Sequence, residues 1–151
     1  MSNCEKVEEL AGSFFEEGYN CAEAVVRAYR EELKLNLSDE ALRIATGFGG
    51  GIGHNGCICG ALTGCIMVIN MLQGRISKEE SREPAYKSSG EFHQLFSKKF
   101  GGACCRVLNR QPFGSYEQRK NCFNITTGAA SLLAEYIKSQ SLLTSTKDTC
   151  Q

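Results

Sequence analysis

The stretch Gly60-Ala61-Leu62-Thr63-Gly64-Cys65-Ile66-Met67-Val68-Ile69-Asn70-Met71-Leu72 decides the fold. Its apolar residues recur on almost every side of a helix of period 3.6, and a helix without a polar face belongs inside a protein rather than on its surface. At about thirteen residues it is too short to span a bilayer. The sequence therefore predicts a helix buried at the centre of a bundle, and the neighbouring segments read as the helices that cover it.

On the N-terminal side, the glycine-rich run 47–53 (Gly-Phe-Gly-Gly-Gly-Ile-Gly) is a loop. Before it, Ser38 with Asp39 and Glu40 opens a short helix through Leu42, Ile44 and Ala45. Earlier still, Asn20 caps a helix to which Glu23 reaches back, with Ala22, Val25, Val26 and Tyr29 facing inward and Cys21 at the first helical position. A first helix over 4–17 carries Val7, Leu10, Ala11, Phe14 and Phe15 on one stripe and stops at Gly18. On the C-terminal side, Ser77 and Glu80 read as a capping box. Pro84 suits the first turn of a helix to Phe100 that shares Phe92, Leu95, Phe96 and Phe100 on one face, and Gly101 and Gly102 end it. Asn121 caps the last helix, in which Cys122, Ile125, Thr126, Ala129, Leu133 and Tyr136 recur at three- and four-residue steps. No stretch alternates apolar and polar residues long enough to build a sheet. The expectation is an all-α, single-domain helical bundle of about five to six helices over 1–138, with a glycine-rich loop and a flexible tail over 139–151.

Composition narrows the function. The 151 residues suit one core that removes roughly two thirds of the unfolded chain's surface from water. Seventeen basic residues balance seventeen acidic ones, so neither nucleic acid nor membrane insertion is expected. The N-terminal residues, with Cys4, Glu5 and Glu9, have neither the charge order nor the apolar run of a signal peptide, which places the protein in the cytoplasm. Thiols stay mostly reduced there. Nine cysteines, an odd number, then read as metal or redox ligands rather than as a disulfide framework.

Three of those cysteines, Cys21, Cys59 and Cys122, are expected at helix starts, where free N–H groups and the helix dipole favour a thiolate. If the three starts point at one spot, the thiolates repel one another unless a cation or an iron core lies between them. A fourth ligand comes from Cys104 or Cys105, only one of two neighbours ordinarily pointing inward. Gly60 and Gly64, four apart, leave a groove on the central helix for a close backbone or a bulky cluster. Cys65 reads as core packing, and Cys4 and Cys150 as thiols without a role in the site. His54 in the glycine loop is a candidate iron ligand but reads better as a solvated or hydrogen-bonded residue, and His93 lies at a surface or core edge. The glycine loop lacks the Gly-Lys-Ser/Thr ending and preceding strand of a phosphate cradle, so no nucleotide is expected.

The segments Gly18-Tyr19-Asn20-Cys21-Ala22, Gly47 to Gly51, Cys59-Gly60-Ala61-Leu62-Thr63-Gly64, Cys105-Arg106 and Cys122 resemble, in order and spacing, the C_GCAxxG_C_C family of small redox proteins of bacteria and archaea. The resemblance covers the chain from about Gly18 to Tyr136. It implies a cysteine-rich protein with an iron–sulfur cluster, for electron transfer or redox sensing, on Cys21, Cys59, Cys105 and Cys122, with Cys57 and Cys104 as possible substitutes. Some family members are exported or joined to cytochrome-like partners. No Cys-x-x-Cys-His haem site is present here, so no haem is expected. A second reading is a thiol–disulfide oxidoreductase in which Cys59 attacks and Cys57, Cys105 or Cys122 resolves. A third is structural zinc, which the wide scatter of these cysteines disfavours. The expected partner is another redox protein, and a homodimer is possible.

Overall fold

A computed structural model describes residues 2–143. The chain runs α1 (Asn3–Glu17), α2 (Cys21–Glu32), a single turn α3 (Asp39–Leu42) continued by a 3-10 stretch (Arg43–Phe48), a single turn α4 (Gly49–Ile52), α5 (Gly60–Gln73), α6 (Glu83–Phe100), a single turn α7 (Cys105–Leu108) and α8 (Tyr116–Ser139). Among the described residues there is no sheet; one isolated antiparallel bridge joins Ile58 to Cys104. The expected all-α, single-domain architecture is what the chain forms. Five helices of 12 or more residues make the bundle, and two of the single turns, α4 and α7, contribute to the site.

Local chemistry sets most of the boundaries. Asn20 accepts from the Glu23 amide while Glu23 accepts from the Asn20 amide, each at 3.0 Å, so the reciprocal cap fixes Cys21 as the first residue of α2. Ser2 and Glu5 do the same for α1. Gly18, at φ 117°, supplies the left-handed residue that ends α1 and turns the chain into α2. Ser38 caps α3 as expected.

The core lies where α5 meets α2, α6 and α8, and Val7, Tyr29, Leu62, Val68, Ile69, Phe92, Phe96 and Leu133 are fully buried there. The Tyr29 hydroxyl crosses from α2 to donate to Ala130 O of α8 at 2.7 Å, which satisfies the one polar atom of a buried ring. Gly64 lets α5 lie directly on α2: a Cβ there would be 2.9 Å from Ala22 O and 3.2 Å from Val25 Cβ. Cys65 is buried in this core and its thiol faces Ala129 O at 3.6 Å.

Several expectations are corrected. The central helix is not covered on every side, since Met71 is 47% exposed and Ile66 and Met67 are half-buried; three neighbouring helices leave its fourth side to solvent. Ser77 and Glu80 do not start a helix. Glu80 instead accepts from the Ile76 amide in a turn, and α6 begins later with Pro84 in its first turn. Leu95 and Ile44 point outward, at 40% and 66% exposed. The last helix starts at a Ser115 cap, six residues before Asn121, so Cys122 lies inside α8 rather than at its start. Of the expected tail, Leu142 and Leu143 pack against the core after α8 ends, and residues 144–151 lie outside the described residues, as does Cys150.

Candidate functional site

Two loops carry cysteines into the site, and backbone pairing locks them together. The Cys59 amide donates to Ala103 O at 2.7 Å, the Cys105 amide to Cys57 O at 2.5 Å and the Arg106 amide to Gly56 O at 3.1 Å. Arg106 adds its side chain, donating to Gly56 O and Asn55 O at 3.1 and 2.8 Å. This clamp sets Cys59 as the cap residue of α5 and Cys105 as the first residue of α7. The glycine loop closes over the clamp by a turn of opposite hand, in which Gly50, Gly51, Ile52, Gly53 and His54 all have positive φ. Gly51 is the position that requires glycine. Besides its φ of 67°, a Cβ there would lie 2.6 Å from both Cys105 Cβ and the Cys57 nitrogen.

Cys21, Cys59, Cys105 and Cys122 line one cavity of about 480 Å³ between α2, α5, α7 and α8. Cys59 is buried and the other three are half-buried. Cys57 is exposed and Cys104 is engaged at the bridge to Ile58; neither lines the cavity. His54 stands at the cavity mouth with its ring edge-on to Phe113 at 4.2 Å, whereas His93 is exposed on α6. Among the described residues, no three His, Cys, Asp or Glu side chains are placed to hold a single metal ion.

Each of the four sulfurs meets an N–H group. The Ala22 amide favours the Cys21 thiolate, and the Ala61 and Leu62 amides favour that of Cys59, although Cys59 forms no closed capping hydrogen bond. Gln118 Nε2 donates to Cys122 Sγ at 2.8 Å, and its Oε1 is held by the Gly114 amide at 2.9 Å. Asn109 Nδ2 points at Cys105 Sγ from 4.0 Å. Gln118, Cys122 and Thr126 are spaced four apart and form one row of α8 along the cavity. Sequence reading missed Gln118 and Asn109 as site residues. The i, i+4 relation of Gln118 to Cys122 is the signal that finds the former, once Ser115 is taken as the cap.

The expectation that helix-start thiols ionise readily is reversed in the metal-free protein. Burial pushes Cys21 up to about 12, with the neighbouring Cys59 and Cys122 adding to the rise against the Ala22 amide. Burial likewise carries Cys59 up to about 11, against the Ala61 and Leu62 amides. Cys122 is raised by burial and held back by Gln118. Two amides do not offset the loss of water around a thiolate. In reduced, metal-free protein near pH 7, Cys59 should therefore alkylate about a hundredfold more slowly than an unperturbed thiol, because only the thiolate reacts. Cys57, being exposed, should label first. Time-resolved alkylation with mass spectrometry checks this, and labelling of Cys59 ahead of Cys57 would contradict the burial argument.

A helical bundle that gathers four cysteines from four separate elements onto one cavity is built for sulfur chemistry. The chain belongs to the C_GCAxxG_C_C family: residues 19–136 match the family model described as "Putative redox-active protein (C_GCAxxG_C_C)". It is also similar to a protein of Archaeoglobus fulgidus named "Uncharacterized protein", with 28% identity over 149 residues that cover 93% of this chain and 99% of that one. No solved structure matches the chain. No described helix is long and apolar enough to cross a membrane.

Proposed function

We propose that the protein holds an iron–sulfur cluster on Cys21, Cys59, Cys105 and Cys122 and serves in cytoplasmic electron transfer or redox sensing. The observation that carries this reading is the convergence of four sulfurs on one cavity, each provided with an N–H donor that a neutral thiol does not need and a ligating thiolate does. The four cysteines line a cavity of about 480 Å³, a volume that gives room for a multi-atom cluster. Gly60 supports the fit, because a Cβ there would overlap Cys21 Sγ and fill the cradle.

When bound, such a cluster would supply one-electron chemistry. The protein's part is to hold and tune it. Cys21, Cys59, Cys105 and Cys122 are the ligands. Gln118, Asn109 and the amides at the starts of α2 and α5 donate to sulfur and so favour added negative charge, while the bundle core behind Cys59 excludes water. Thiol–disulfide exchange is less well served, since an attacking thiol works best with a pKa near ambient pH and Cys59 is raised to about 11. The test is anaerobic reconstitution with ferrous iron and sulfide. The expected product binds iron and acid-labile sulfide together and gains broad visible absorption. A folded protein that takes up neither under these conditions would refute the reading.

A further inference from the structure

Thr126 of α8 is fully buried, lines the cysteine cavity, and its Oγ1 has no hydrogen-bond partner. Threonines in helices ordinarily turn the hydroxyl back to a carbonyl of the preceding turn. Two neighbours in this structure do so: Thr127 donates to Asn124 O at 3.2 Å and Thr63 to Gly60 O at 3.1 Å. Thr126 does not, although it is more deeply buried than either. An unsatisfied buried hydroxyl is costly, and valine has the same shape without that cost. The position follows Cys122 by one helical turn, as Cys122 follows Gln118, and Gln118 already donates to the Cys122 sulfur. The row therefore reads donor, thiol, donor.

We propose that the Thr126 hydroxyl donates a hydrogen bond to an anionic sulfur of the cluster bound in this cavity and raises its reduction potential. The proposal rests on the iron–sulfur reading above. Thr126 is a positioning and tuning residue, not a ligand. A donor to sulfur stabilises the more negatively charged, reduced state more than the oxidised one, so its removal lowers the potential.

The experiment uses the full chain, reconstituted with ferrous iron and sulfide, as wild type, Thr126→Val and Thr126→Ser. Iron and sulfide content of the wild type is read first; absence of both overturns the cluster reading and this proposal with it. With the cluster present, Thr126→Val is expected to make reduction about tenfold less favourable, a shift of about 59 mV to lower potential for one electron, while Thr126→Ser stays close to wild type. An unchanged potential in Thr126→Val with wild-type iron content overturns the proposal and leaves the cluster reading standing. A second readout needs no cluster: in the metal-free protein, Thr126→Val is expected to melt a few degrees higher, because the hydroxyl it removes has no partner there. A lower melting temperature would mean that the hydroxyl is already satisfied by the protein, and would also overturn the proposal.

Discussion

Gly60→Ala is expected to destabilise the protein by about 1–3 kcal/mol and to abolish iron and sulfide uptake. Gly60 opens α5 directly behind Cys59, and the added Cβ would overlap Cys21 Sγ while lying 2.8 Å from Phe48 O and 3.4 Å from the Ala22 nitrogen. Two of those three neighbours are backbone and cannot rotate away. The sulfur can move, but the displacement takes it from the position in which it lines the cavity with Cys59, Cys105 and Cys122. Removing a glycine also limits the unfolded chain, a gain of about 0.4–1 kcal/mol that offsets part of the cost. Two companion variants separate packing from chemistry. Gly64→Ala brings a Cβ to 2.9 Å from Ala22 O one turn further along α5, so it should cost comparable stability, yet no sulfur is among its nearest contacts. Gly47→Ala meets nothing within 4 Å and should be close to neutral. Melting curves rank the three, and iron analysis distinguishes them. Wild-type iron content in a folded Gly60→Ala protein would show that the α2–α5 contact does not set the position of Cys21.

How much of this was legible beforehand follows from which signals are local. The Asn20–Glu23 cap is a matter of adjacent side chains, so the start of α2 and the place of Cys21 can be read directly. The apolar run of α5 likewise identifies itself. The start of α8 could not be found from hydrophobic periodicity, because residues 116–121 are almost wholly polar and the residue facing inward among them is Gln118, which is buried to hold a sulfur rather than to fill a core. Helix propensity and the Ser115 cap decide that boundary instead. Local reasoning left Cys104 and Cys105 open and only the family resemblance favoured Cys105; in the structure Cys104 pairs with Ile58 by a long-range contact and Cys105 lines the cavity. The ionisation state of the thiols was the least accessible feature. A helix start lowers a thiol's pKa and burial raises it, and the balance depends on packing that no local pattern encodes.

That balance predicts an alkaline instability of the metal-free protein. Cys21 and Cys59 hold their protons to about 12 and 11 when folded, against an ordinary thiol value of 9.0 when unfolded. Between pH 9 and about 11 the unfolded chain therefore binds fewer protons than the folded one, and the slope of stability with pH is negative. The contribution of these two thiols is complete below pH 9 and is lost as pH rises through the folded values. The loss is of the order of 5 kcal/mol, with the Cys21–Cys59 repulsion counted once. Tyr29 and Cys65, both raised well above their ordinary values by burial, act in the same direction. Losses of this size are a large part of the stability of a small domain, so chelator-treated, reduced protein should lose stability steadily above pH 9. Urea melts at pH 8, 9 and 10 measure the slope, and Cys21→Ser with Cys59→Ser should make it markedly shallower. Reconstituted protein should lack this part of the slope, because ligating sulfurs are already deprotonated and nothing is left on them to titrate. A metal-free protein whose stability is level from pH 8 to pH 10 would show that the Cys21 and Cys59 sulfurs reach water, and the cavity would then lack the low-dielectric surroundings on which its N–H donors depend.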